Sequence, residues 1–267
     1  MSRVAAGILS LLSLLVPTAF IAQSAPSAPG ATLPRDPNGV AVVQQVVTAL
    51  GGSAAVGQIQ GCVATGNLQA LPGSGLTSGS FTWKNSGHEF RYENPGPSGT
   101  RIMVSGHGTP GLLDGGRLQK FSRQAAVSNL PPHLMALFLL RAVANPSVGA
   151  QVLGTAVVSG RQAILMQIAV GTWSPNSGPI GQRWYFDAAT GLPLRVEYRI
   201  FADRDPRSSV QVAQEFADYR SISGVMVPFQ ITTYHDGHQD SITTLTSVAF
   251  NTAISPTDFD LPAGGAQ

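Results

Sequence analysis

Leu192-Pro193-Leu194-Arg195-Val196-Glu197-Tyr198-Arg199-Ile200 is the stretch on which the fold turns. Apolar side chains at 192, 194, 196, 198 and 200 alternate with Pro193, Arg195, Glu197 and Arg199. A period of two gives one dry and one wet face, as in a half-buried antiparallel strand. Just upstream, Trp184 and Phe186 alternate in the same way, joined to this run through the turn Asp187-Ala188-Ala189-Thr190-Gly191. Downstream, 210–219, 225–235 and 238–250 read as further strands, the last two linked by Asp236-Gly237 in a tight hairpin. Further upstream, Phe81 and Trp83 alternate with Ser80, Thr82 and Lys84, and Phe90 and Tyr92 with Glu89, Arg91 and Glu93. With the shorter runs at 100–105, 117–121, 152–158 and 162–169, the pattern predicts roughly eleven to thirteen strands.

Two segments break the period. Asp36 followed by Pro37 opens a helix whose Val40, Val43, Val47 and Leu50 share one face, and Gly51-Gly52 stops it. From Leu134 to Ala144 every residue except Arg141 is apolar. A helix that is apolar all round needs cover on nearly all sides, and this one is too short to span a bilayer. A long antiparallel sheet curls, so its concave face must be filled, and these two helices are the segments available to fill it. The fold class is therefore α+β, mostly β: a strongly curved antiparallel sheet with helices over its concave face.

Composition narrows the function. Only 11% of the 267 residues are charged, against roughly 25% in ordinary soluble domains. The net charge is +2 and the Lys and Arg residues are scattered, which excludes the basic stripe that a nucleic-acid binder needs. The N-terminus has one positive charge at Arg3, an apolar run from Val4 to Ile21, and then Ala22-Gln23-Ser24. That order predicts a secretory signal peptide over 1–24, cleaved before Ala25; an uncleaved anchor is the other reading of the same run. Residues 25–35 read as a flexible lead-in rich in Ala, Pro and Ser, and 36–267 as a single domain. The expected location is exported, periplasmic or extracellular.

Motifs for chemistry are sparse. Cys62 is the only cysteine and lies in a strand-like setting, so a small buried side chain is expected. Gly106-His107-Gly108-Thr109-Pro110-Gly111 matches G-x-G-x-x-G, but Pro110 argues against the helix that a dinucleotide site needs. The serines near 73–79 do not form a nucleophile elbow, and Glu89, Glu93 and Glu197 fall in the solvated phase of their strands. His235 and His238, opposite each other across the Asp236-Gly237 turn with Thr233 opposite Asp240, are the candidate metal ligands. Two imidazoles and one carboxylate without supporting groups fall short of a site, so neither metal nor cofactor is expected, and the chain reads as a non-enzyme. The apolar inventory is what remains. Phe81, Trp83, Phe90, Tyr92, Trp184, Phe186, Leu194, Val196 and Tyr198 on the sheet, with Leu134, Leu137 and Phe138 on the helix, are the candidate lining of a hydrophobic cavity.

Four pieces of sequence resemble a known family. Trp184-Tyr185-Phe186-Asp187, Thr190-Gly191-Leu192-Pro193, Asp218-Tyr219-Arg220 and Gly224-Val225-Met226-Val227-Pro228-Phe229 look like those of outer-membrane lipoprotein-sorting proteins of the LolA-like superfamily. The resemblance is best over 180–262 and looser over 36–170. It implies an unclosed β-barrel of about eleven strands, with helices over the concave side where acyl chains bind. The expected function is then an exported carrier or sensor of a lipid, acyl chain or lipoprotein, with a possible membrane-associated partner. A scaffold domain with a fully packed interior and an enzyme with a site invisible in sequence stay open beside it.

Overall fold

The computed structural model describes residues 33–261 except 88, 107–110, 121–133, 171–180 and 203–204. The signal segment 1–24, most of the lead-in, and part of the glycine motif lie outside the described residues. The chain opens with α1 (Pro37–Ala49) and α2 (Gly52–Gly57), and α3 (Met135–Ala144) stands alone mid-chain. Between α2 and α3 come β1 (Gly61–Ala70), β2 (Gly79–Ser86), β3 (Glu89–Gly96), β4 (Gly99–Ser105), β5 (Gly111–Asp114) and β6 (Arg117–Lys120). After α3 come β7 (Val148–Val158), β8 (Arg161–Val170), β9 (Gly181–Asp187) and β10 (Pro193–Ala202). They are followed by β11 (Asp205–Ile222), β12 (Val225–His235) and β13 (His238–Phe250), and a 3-10 turn over Pro256–Phe259.

All thirteen described strands form one sheet in the order β6-β5-β4-β3-β2-β1-β13-β12-β11-β10-β9-β8-β7. Neighbours are consecutive hairpins except at the centre, where β1 pairs antiparallel with β13. The sheet is curved and unclosed, with β6 and β7 as its two ends. The predicted antiparallel meander and its half-barrel form hold, with thirteen strands where the family resemblance implied about eleven.

The helices lie on the concave side toward β7–β12. Asp36 caps α1 by accepting from the Asn38 N–H at 3.1 Å, and Val43, Val46, Val47 and Leu50 are buried. Gly39 lets the helix touch β7 directly, since a Cβ there would lie 2.4 Å from the Ala150 carbonyl oxygen. At the other end the Met226 N–H donates to Leu50 O at 2.9 Å, tying the helix terminus to β12. α3 buries Met135, Ala136, Leu139 and Ala142, half-buries Leu134, Leu137 and Phe138, and turns Arg141 to solvent. One contiguous core joins these helices to the sheet through Met166, Trp184, Phe186, Phe216 and Ile231.

The lead-in differs from its expected flexibility at its last residues. Arg35 bridges to Ala150 beside β7, and Asp36 N–H donates to Ala150 O at 3.0 Å. The Arg35 guanidinium donates to Ala142 O at 3.0 Å, Val143 O at 2.6 Å and Val148 O at 2.7 Å. A cation thus satisfies carbonyls left open at the C-terminal turn of α3, which a composition rich in Ala, Pro and Ser does not reveal.

Candidate ligand-binding site

Backbone register brings apolar side chains into rows across the concave face. In one row Ala64 of β1 pairs with Trp83, Trp83 with Tyr92, Tyr92 with Met103, and Met103 with Leu112. Ala64 is fully buried, whereas Trp83, Tyr92, Met103 and Leu112 are half-buried. Four strand spacings of roughly 4.8 Å make the row about 19 Å long. Phe81 stands behind it, its ring 4.8 Å from Trp83 and 5.7 Å from Tyr92, with 5.7 Å between those two. Gly66, opposite Phe81, makes room for that ring, because a Cβ would lie 2.7 Å from Phe81 Cζ and 2.3 Å from Thr244 O. Burial, only partly offset by the Arg101 cation, pushes the Tyr92 phenol up to about 12, so it stays neutral.

A second aromatic group lies under α3. Phe138 stacks on Trp184 at 5.8 Å, and Trp184 meets Phe186 at 5.8 Å and Phe216 at 6.5 Å. Tyr219 fixes the edge of this group by donating to Pro193 O at 2.8 Å, and burial holds its phenol well above the ordinary tyrosine range. Cys62, fully buried in the same core, has its thiol pushed up to about 12 by burial. A thiol so shielded is not a nucleophile at neutral pH.

The sequence candidates divide accordingly. Phe81, Trp184, Phe186 and Val196 form the buried floor of the concave face, and Trp83, Tyr92, Leu134, Leu137, Phe138 and Tyr198 pack partly exposed against it. Phe90 is buried on the Tyr92 face of β3 but is not among the residues of that contiguous core. Leu194 is a correction. The register of β10 against β9 shifts between Pro193 and Arg195, and this bulge carries Leu194 to the convex face, against Val158, Ala163 and Tyr185. Met103, Leu112 and Phe216 belong to the rows and were missed; Met103 and Phe216 keep the alternation of predicted strands, whereas Leu112 lies on Gly111–Asp114, a strand too short to be predicted. Gln214, Thr233, Ser241 and Thr243 also lie on the concave side of the sheet, and no sequence signal marks these polar residues as sitting in an apolar phase.

The hairpin tip pairs His235 with His238 as expected, but a bulge after Thr233 sets Ser241, not Asp240, opposite Thr233. The Asp240 carboxylate, nearly buried, engages His235 Nδ1 alone at 3.1 Å, and His238 is exposed. Among the described residues no three His, Cys, Asp or Glu side chains gather where they would hold a metal.

The convex face carries the charged cluster around Arg195. Arg195 pairs with Glu197 at 2.8 Å and Glu215 at 2.7 Å, while Tyr185 donates to Glu197 at 3.1 Å. An open depression of about 420 Å³ lies beside Arg161, Gln162 and Asp187–Ala189. Asp187 is engaged by the backbone and by a cation there: it accepts from Ala189 and Thr190 N–H at 2.8 Å each and pairs with Arg161. Burial opposes its ionisation, but those N–H groups and the Arg161 guanidinium outweigh it and hold its carboxyl below the ordinary range.

No family model and no curated protein matches the sequence. Solved structures match the architecture. An outer membrane lipoprotein-sorting protein domain from Vibrio parahaemolyticus is 14% identical, with TM-score 0.53 over 84% of this chain and 96% of that one. The chain has a LolA-like fold. A LolA superfamily protein from Nitrosomonas europaea gives TM-score 0.48 at 11% identity, covering 82% of this chain and 97% of that one. A DUF1329 family protein from Desulfovibrio piger gives 0.48 at 11%, covering 84% and 98%. The LolA-like sheet and helices of this chain place its aromatic rows on the concave side and the Arg195–Glu197–Glu215 ion pairs on the convex side.

Proposed function

We propose that the chain is an exported, non-catalytic carrier or sensor that holds a lipid or acyl chain in the hollow between sheet and helices. One observation carries this reading: the half-exposed row Trp83–Tyr92–Met103–Leu112 on the concave face, continuous with the buried core at Ala64. Apolar side chains half-open to a hollow gain stability when an apolar tail covers them, about 0.8 kcal/mol for each tail methylene buried. In this reading Phe81, Trp184, Phe186 and Val196 are the floor, and Trp83, Tyr92, Tyr198, Leu134, Leu137 and Phe138 touch the tail. Residues 1–24 direct export and are removed before Ala25. No helix among the described residues is long and apolar enough to cross a membrane. The ligand or lipoprotein then comes from a membrane or from a partner at one. The sorting function in the name of the Vibrio domain agrees with a carrier role.

Native mass spectrometry of protein recovered from its own compartment tests this. The expected result is a co-purifying lipid that a long-chain fatty acid displaces. Absence of lipid together with no fatty-acid binding overturns the reading and leaves a packed scaffold domain.

A further inference from the structure

One part of the concave face is polar, and its polar groups are idle. Register places Gln214 of β11 opposite Thr233 of β12, and Thr233 opposite Ser241 of β13. One step along the strands, Thr243 sits between Ile231 and Leu68, both core residues, so these side chains share the core-facing side of the sheet. Ser241 and Thr243 are only 4% and 6% exposed, and Gln214 and Thr233 are half-buried. Among the described residues none of the four side chains has a hydrogen-bond partner. Most buried polar side chains in native proteins are paired, and a buried hydroxyl without a partner is costly, so two side by side call for a partner from outside the chain. The Tyr198 phenol, next along the same face of β10 from Val196, is likewise unpaired among the described residues, and burial pushes its pKa up.

The chemistry of this niche defines what it takes. Its groups are hydroxyls and one carboxamide, which donate and accept but carry no charge. The ionisable side chains next to it, His235 and Asp240, engage each other at 3.1 Å. The cations of β10 lie on the opposite face, Arg195 on Glu197 and Glu215 and Arg199 on Ser209. Among the described residues the nearest cation on this face, the Arg101 guanidinium beside Tyr92, is paired with Asp114 at 3.7 Å, so a phosphate or carboxylate head finds no free counter-charge, and the Asp240 carboxylate would repel it. Glycerol or sugar hydroxyls and ester carbonyls fit instead. Phe81, over Gly66, links the niche to the aromatic row, so one molecule can engage both.

We infer that Gln214, Thr233, Ser241 and Thr243 bind the uncharged, hydroxyl- and ester-bearing head of an acylglycerol-type lipid whose tail lies on the aromatic row. This inference rests on the carrier reading and deepens it. The test uses monooleoylglycerol and oleate, which share a tail and differ in the head, titrated into the wild-type chain and into Ser241→Ala, Thr243→Val and the double variant. Monooleoylglycerol is expected to bind tighter than oleate, and each single variant to weaken it about tenfold, the size of one good hydrogen bond, with oleate unchanged. The ligand-free Thr243→Val variant should keep or raise its melting temperature, because its hydroxyl has no protein partner to lose. Equal binding of the two probes, or variants without effect on monooleoylglycerol, overturns the head-group site while the tail-binding reading stands. A fall in the ligand-free melting temperature for both variants overturns it too, since the hydroxyls would then serve the fold. Binding of neither probe to the wild type removes the carrier reading itself, and this inference with it.

Discussion

Trp83→Ala separates a binding role for the aromatic row from a packing role. The indole is half-buried, with Phe81 and Tyr92 rings at 4.8 and 5.7 Å. Two such pairs, each contributing about 0.5–1.5 kcal/mol, put the ring–ring share of the stability loss at about 1–3 kcal/mol, on top of the burial lost. The effect on a bound tail is separate. Covering a large apolar side chain is worth about 1.5–3 kcal/mol, and the lower end already weakens the Kd about tenfold. Urea denaturation reads the first quantity, and displacement of a fluorescent fatty acid reads the second. Val157→Ala is the control: that side chain is 62% exposed on β7, away from the row, and neither reading should move. If Trp83→Ala lowers the urea midpoint while the fatty-acid Kd stays within about twofold of wild type, the row only packs and the binding argument fails.

Gly66→Ala should cost more than a surface change of the same size. A new Cβ would meet Thr244 O at 2.3 Å and displace the Phe81 ring, so a melting temperature lower by several degrees and altered near-UV circular dichroism are expected. Asp187 should make stability pH-dependent in acid. Its folded pKa is lowered, so its contribution is complete above the unfolded value of about 3.9 and is lost as pH falls through the folded value. Asp187→Asn is therefore less stable than wild type at neutral pH by chemical denaturation, and the gap closes below about pH 4; a gap constant across that range refutes the assignment.

The period-two alternation carried most of the fold into view. It placed the hairpin of β2 and β3, the β9–β10 run and the closing meander, because each dry face buries every second residue. What it missed were insertions of one residue. At Leu194 two residues of β10 oppose one of β9, yet Leu192, Val196 and Tyr198 keep the apolar rhythm on either side. The side chain that looks in phase is therefore on the other face. The bulge after Thr233 shifts Asp240 for the same reason. An apolar residue fits a hydrophobic patch on either face, so composition does not mark the slip. The polar niche is hidden differently. Thr and Ser are ordinary strand residues, and only the register that sets Thr243 between Ile231 and Leu68 shows that they face inward.

A strand needs at least one well-covered face; β2 and β3 bury Phe81 and Phe90 on the concave side, and β4 and β5 have theirs on the outside. Ile102, Val104 and Phe259 are buried there, with Leu113, Ile254 and Leu261 packed around them. The 3-10 turn that delivers Phe259 is pinned by Lys84 on Asp258 at 2.8 Å and by Arg91 donating to Asp258 O and Asp260 O at 3.1 Å. With that small core fixing β4 and β5 from the convex side, Met103 and Leu112 stay half-exposed on the concave side beside Trp83 and Tyr92. Around β7–β12 the order is reversed: helices fill the concave side, and among the described residues the convex side carries ion pairs and the small cluster at Leu194. The half of the hollow whose apolar side chains stay half-exposed is thus the half that the proposed tail would cover.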